Sequence, residues 1–215
     1  MEKGLYDEKM RQLRTGTTTV GLTCSDGIVM AADKRASMGY FIASREIEKI
    51  YPIDDHLSMT IAGSVADAQT LVRIMQAEAK LYKLREGRLM SPKAAGHVLA
   101  AIMYQYKFFP FMVQILIGGI DNNNSAQIYS LDPLGGLTEE AYVSTGSGSP
   151  IAYGLLEAHY EKGKSVKDNL SLAAKAVSIA MKRDCATGEG VDLVSVTKAG
   201  FKRYKPEEIE KLLSH

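Results

Sequence analysis

Residues 16–33 read GTTTVGLTCSDGIVMAAD, running from Gly16 through Thr17, Thr18 and Thr19 to Asp33. Two β-type runs, Thr17 to Cys24 and Ile28 to Asp33, flank Ser25-Asp26-Gly27, and Asp-Gly between such runs is a strong hairpin signal. Thr17 matters chemically as well. A threonine hydroxyl needs a base to take its proton. A freed α-amine on the same residue is such a base, with a reference pKa of about 7.7 to 8.0, near working pH. Glycine adopts backbone angles other residues avoid, so the Gly16 carbonyl can be presented to that hydroxyl. The Gly16-Thr17 bond is therefore a candidate self-cleavage point, with residues 1–16 as a removable leader and residues 17–215 as a single domain.

Outward from this stretch, Phe41 to Ala43, Lys49 to Ile53 and Leu57 to Ala62 read as short strands. Ala68, Leu71, Val72, Met75, Ala79 and Tyr82 then recur at helical spacing up to Gly87. Ser91-Pro92 opens a second helix with a serine cap and a proline in the first turn, and its apolar stripe is Val98, Leu99, Ile102, Met103 and Tyr106. A second β block follows at Val113 to Ile120, Ala126 to Leu131 and Leu137 to Ser144. Helices over Pro150 to Glu161 and Ser165 to Arg183, a hairpin of Val191 to Thr197 with Phe201 to Tyr204, and a short helix from Pro206 complete the chain. Without regular β-α-β alternation, this order predicts an α+β fold: two mostly antiparallel sheets face to face, with helix pairs outside.

The chain has 215 residues, a formal net charge of +1, 46% hydrophobic and 24% charged residues. That is enough chain to bury roughly 70% of its unfolded surface. The basic residues are scattered, which argues against nucleic acid and anionic membrane partners. No apolar run approaches the ~18 residues of a membrane span. The first residues, MEKGLYDEKMRQLR, mix charges without an apolar core and do not resemble a secretory signal. Cys24 and Cys185 form no C-x-x-C or His/Cys cluster, so no metal or cofactor is expected, and both are expected reduced and buried in an intracellular protein. His56, His97, His159 and His215 are scattered. Ser144 to Pro150 precedes a helix but lacks G-x-G-x-x-G spacing and a Gly-Lys-Ser/Thr ending, which argues against phosphate, and Ser147 does not fit G-x-S-x-G.

The segments TTTVGLTCSDGIVMAADKRAS, MTIAGSVADAQ, MVQILIGGID, STGSGSPIAYGLLE and RDCATGEGVD together resemble a proteasome β subunit of the archaeal type, an N-terminal-nucleophile hydrolase. The resemblance runs from about Gly16 to about Thr197. It implies a four-layer αββα sandwich and a leader lost at a Gly-Thr bond. By motif, it implies Thr17 as nucleophile with its amine as base, Asp33 and Lys49 as an acidic-basic pair, and Gly63 as the donor to the oxyanion. Ser147 and Asp184 fall around the amine, and Thr187 stands where relatives carry serine. It further implies that Ala36, Ile47, Ile61, Val65 and Gln69 line a pocket for the residue before the cut, with cleavage after large hydrophobic residues, and that Ser37 helps hold the substrate backbone as an added strand. Implied partners are homo-heptameric β rings, α subunits, an ATP-dependent unfoldase and unfolded polypeptides, in the cytoplasm. With the leader attached Thr17 has no free amine, so that form is expected to be an inactive precursor. The alternative is a structural ring subunit of the same fold that never matures.

For Lys49 the expected role is electrostatic. An ammonium ~4 Å from the Thr17 amine would oppose its protonation by about 4 kcal/mol at an effective dielectric near 20. Asp33 offsets much of that field while holding the lysine in place.

Overall fold

The computed structural model describes residues 16–214. The expected leader therefore lies outside the described residues except for Gly16.

The opening hairpin forms as β1 (Thr19–Cys24) and β2 (Gly27–Asp33), paired antiparallel with Thr19 opposite Ala32. Every residue of β2 is buried, because the strand has a packed layer on each face. Ile28, Met30 and Ala32 point one way, into an inter-sheet core with Ile50, Leu116, Ile128, Val143, Val194 and Val196. Val29 and Ala31 point the other way, into a cluster with helical Ala173 and Val177. The two-residue period of a strand thus divides one sequence between two cores.

Around this hairpin lie β3 (Ala36–Met38) and β4 (Phe41–Ser44), a two-stranded ribbon, then β5 (Ile50–Asp54) and β6 (Leu57–Gly63). Next come α1 (Val65–Glu86), α2 (Pro92–Gln105), β7 (Val113–Ile120), β8 (Ala126–Leu131), β9 (Leu137–Glu140) and β10 (Tyr142–Thr145). The chain finishes with α3 (Ser149–His159), α4 (Val166–Met181), β11 (Val191–Thr197), β12 (Gly200–Arg203) and α5 (Pro206–Leu213). One five-stranded sheet has the order β10-β1-β2-β11-β12 and the other β5-β6-β7-β8-β9, with every pairing antiparallel. Helices α1 and α2 cover the second sheet through Leu71, Met75, Leu99 and Met103, and α3 and α4 cover the first through Leu156, Leu170 and Val177. The αββα sandwich expected from the element order is present.

The helices begin where the cap chemistry places them. Ser64 accepts from Asp67 N, Ser91 from Ala94 N, and Ser165 forms a capping box with Asp168. Gly87 closes α1 in the left-handed conformation, at φ 67.

Three expectations need correction, and one strand is added. Residues 137–144 are not one strand: β9 pairs with β8 and β10 pairs with β1, so the chain crosses between sheets at Ala141. The continuous β-type composition conceals this, because partner choice leaves no mark on local propensity. The ribbon strand β3 adds a strand that the sequence pattern did not suggest. Tyr106 caps the end of α2 and is exposed instead of joining its buried stripe. Cys24 is buried as expected, but Cys185 is exposed on the loop after α4.

Candidate active site

Thr17, Asp33, Lys49, Ser147, Asp184 and Thr187 gather at one end of the sandwich, where the ends of both sheets meet. Strand register delivers them. The start of β1 lies beside the end of β2, so Asp33 N donates to Thr18 O at 3.2 Å. Lys49, just before β5, lies opposite Ile61, whose N–H donates to Lys49 O at 3.0 Å. Gly63 ends β6 and Thr145 ends β10, the strand before the loop that carries Ser147.

Asp33 ends β2 of the first sheet and Lys49 immediately precedes β5 of the second, and their side chains bridge the two layers at 2.6 Å. Asp33 is fully buried, and Lys49 is 6% exposed. A buried carboxylate must have its lone pairs satisfied. Asp33 Oδ1 also accepts from Thr18 N at 3.0 Å, and Oδ2 accepts from Gly188 N at 2.9 Å and Arg35 N at 3.2 Å. Burial pulls the Lys49 pKa below the ordinary lysine value, while the Asp33 charge and hydrogen bond oppose that pull. The pair therefore holds the ammonium at a desolvated position where its field is strong.

Thr17 is 3% exposed and still joined to Gly16 by a peptide bond. Its hydroxyl donates to Gly16 O at 2.6 Å, and its amide N–H donates to Ser147 Oγ at 3.2 Å. Ser147 Oγ donates in turn to Asp184 Oδ2 at 2.6 Å, and Thr187 Oγ1 donates to the same oxygen at 2.5 Å. Ser147, Asp184 and Thr187 thus form one cluster on the nitrogen side of Thr17, as the motifs implied.

Gly63 has φ +132, and a Cβ there would come within 2.1 Å of Met112 O, so the position demands glycine independently of any ligand. Gly16 is constrained too. An added Cβ would lie 1.7 Å from Ala186 Cβ and 2.7 Å from its Cα. Close approach to the 184–188 loop thus gives Gly16 a steric requirement that the sequence could not show. Gly16 N donates to the buried Ser37 Oγ at 2.9 Å, so Ser37 holds the backbone before Thr17 through its side chain.

Beside Thr17 a pocket is lined by Ala36, Ile47, Ile61 and Val65, four of the five residues expected there, together with Lys49 and Gly63. Gln69 is not among them. It is exposed on α1, and Ala68, one position earlier, faces the pocket with Glu48 and Tyr51. Among the described residues no cluster of His, Cys, Asp or Glu could hold a metal ion, and no helix is long and apolar enough to cross a membrane.

Sequence reasoning missed three participants. Thr18 and Gly188 reach Asp33 through backbone N–H groups, which carry no residue-type signal. Arg35 holds the 184–189 loop by donating to Cys185 O at 2.8 Å and pairing with Glu189 at 3.1 Å. Its place directly after Asp33 and Lys34 was the available hint.

The family model described as "Proteasome subunit" matches residues 13–196. This chain belongs to the proteasome subunit family. It is 52% identical over 200 residues to the "Proteasome subunit beta" of Methanocaldococcus fervens, covering 93% of this chain and 89% of that one. It is 53% identical over 201 residues to the same subunit of Methanocaldococcus vulcanius, covering 93% and 90%. With that of Methanosarcina mazei it shares 52% over 196 residues, covering 91% and 93%. The chain is accordingly an archaeal-type proteasome β subunit, a protease component that assembles with other subunits into a proteasome core.

Proposed function

We propose that this proteasome β subunit is catalytic, a threonine endopeptidase whose nucleophile is Thr17 Oγ1 and whose general base is the α-amine that Thr17 gains when residues 1–16 are removed. The observation that carries this reading is that Thr17 lines one pocket with Lys49, itself paired to Asp33, while its N–H donates to Ser147 of the Ser147–Asp184–Thr187 cluster.

Leader removal begins with Thr17 Oγ1 adding to the Gly16 carbonyl carbon. Collapse breaks the C–N bond and leaves residues 1–16 as an ester on Oγ1, and the nitrogen takes up the proton. Water then hydrolyses the ester, releasing the Gly16 carboxylate and a Thr17 with free hydroxyl and amine. Until that happens the Thr17 nitrogen is an amide, whose lone pair is delocalised into the carbonyl. The uncut chain is therefore a zymogen.

In turnover the amine takes the hydroxyl proton as Oγ1 attacks a substrate carbonyl, and Gly63 N–H donates to the oxyanion. The amine returns the proton to the leaving nitrogen, and water hydrolyses the acyl-enzyme. Lys49 disfavours protonation of the amine, and Asp33 keeps the lysine in place. The pocket walls of Ala36, Ile47, Ile61 and Val65 favour cleavage after large hydrophobic residues. Unfolded polypeptides are the substrates, threaded by an ATP-dependent unfoldase into homo-heptameric β rings capped by α subunits in the cytoplasm.

The test is the intact mass of the chain in the particle assembled with an α subunit. Loss of residues 1–16 is expected, and in Thr17→Ala both that loss and peptide hydrolysis should disappear. An assembled chain that stays uncut would instead mark a structural ring subunit. Hydrolysis persisting in Thr17→Ala would remove Thr17 from the nucleophile's role.

A further inference from the structure

Thr18 is fully buried and hydrogen-bonds to both acidic groups of the site, directly to one and through a hydroxyl to the other. Its N–H donates to Asp33 Oδ1 at 3.0 Å, and its hydroxyl lies 2.8 Å from Thr187 Oγ1. Hydrogen counting gives that contact a direction. A threonine hydroxyl has one proton. Thr187 gives its proton to Asp184 Oδ2 at 2.5 Å, so the proton between Thr18 and Thr187 comes from Thr18. On the far side, Ser147 donates to the same Oδ2 at 2.6 Å and accepts from Thr17 N at 3.2 Å. The result is one array in which Thr18 donates to Thr187, Thr187 to Asp184, Ser147 also to Asp184, and Thr17 N to Ser147. Gly148 keeps room for the Thr18 hydroxyl, since a Cβ there would come within 2.0 Å of it.

We propose that Thr18 is a positioning residue for the reaction: its hydroxyl is the terminal donor of the array that holds Asp184, while its amide holds Asp33. This rests on the reading of Thr17 as nucleophile and of its freed amine as base. Hydrogen bonds in a chain polarise one another. The Thr18 donor therefore strengthens the Thr187 donor and draws charge from Asp184 Oδ2, the anion that faces the Thr17 nitrogen through Ser147. The other charged groups around the site are Asp33, Lys49, Arg35, Glu189 and Glu48, and none of their side-chain hydrogen bonds uses the Thr18 hydroxyl. Loss of that hydroxyl leaves more negative charge on Oδ2, favours the ammonium form of the amine, and moves the acid limb of activity to higher pH.

The experiment compares Thr18→Val, which replaces the hydroxyl with a methyl of the same shape, with Thr18→Ser, which keeps it. Each variant is released from a cleavable fusion ending directly before Thr17, so that maturation does not depend on the substitution. Each is then assayed in the assembled particle for kcat/KM against pH, with a short hydrophobic peptide substrate. Thr18→Val should lower kcat/KM by about tenfold, the effect of one hydrogen bond of ordinary net strength, and shift the acid limb upward. Thr18→Ser should restore both. An unshifted limb, with only thermal stability or yield reduced, would make Thr18 a purely structural residue and overturn the proposal. If Thr18→Val does not assemble, Thr187→Val cuts the same array one link nearer Asp184 and must give the same upward shift. No shift there is equally fatal. A failure of the underlying reading is seen separately, as activity surviving Thr17→Ala in the same particle.

Discussion

Individual side chains here are held by shape as much as by chemistry. Gly16 is fixed at its nitrogen by Ser37 and at its oxygen by Thr17, while Ala186 occupies the space its Cβ would need. The loop cannot easily retreat, because Ala186 N donates to Asp184 Oδ1 at 3.1 Å and Gly188 N to Asp33 Oδ2. Gly16→Ala should therefore slow leader removal by orders of magnitude, measured by mass spectrometry during assembly. Adding Ala186→Gly removes the closest contact and should restore the rate in part, since the backbone of residue 186 remains near. At this scale Thr17 announced itself by its own chemistry, a hydroxyl directly after glycine, and Asp33, Lys49, Gly63, Ser147, Asp184 and Thr187 stood out through motif resemblance. Thr18 and Ala186 did not, since a backbone N–H and a methyl group act by position alone. Gln69 came from the resemblance alone and stands exposed on α1, whereas Ala68, already in the helical stripe, lines the pocket.

At the scale of single elements, local chemistry decides where the helices begin. Ser165 Oγ accepts from Asp168 N at 3.3 Å, and Asp168 Oδ2 accepts from Ser165 N at 3.2 Å. The next residue, Val166, donates its N–H to Asp26 Oδ1 at 2.7 Å, tying the start of α4 to the β1–β2 turn. Ser165→Ala removes the capping acceptor and should cost about 1 kcal/mol, read as a lower urea midpoint at unchanged slope. Activity per assembled particle should not change, because this end of α4 is remote from Thr17. The caps and the hairpin turn were readable because each is a short-range event between named residue types. The crossing at Ala141 was not, since residues 137–145 have strand composition throughout and only tertiary pairing divides them.

For the molecule as a whole, the inter-sheet core is what brings the halves of the site together. Leu116 is fully buried among Ile28, Met30 and Ile128, and Gly21 of β1 leaves room for it and for Ile128. Leu116→Ala should destabilise the subunit by about 2–5 kcal/mol, measured by denaturant unfolding, through lost burial plus the cavity left behind. The surface is less self-sufficient than the interior. Tyr104, Phe108 and Phe109 at the end of α2, and Tyr40 and Phe41 on the β3–β4 ribbon, are exposed, as befits a subunit that assembles with others.

The Asp33–Lys49 bridge joins the end of a strand in one sheet to the residue leading into a strand of the other, and this has a consequence for the life of the newly made polypeptide. Before the layers dock, the carboxylate and the ammonium are far apart in water and cannot pair. On the proposed mechanism, cutting power thus comes into being only with the finished tertiary structure, and a half-folded copy is harmless to its neighbours.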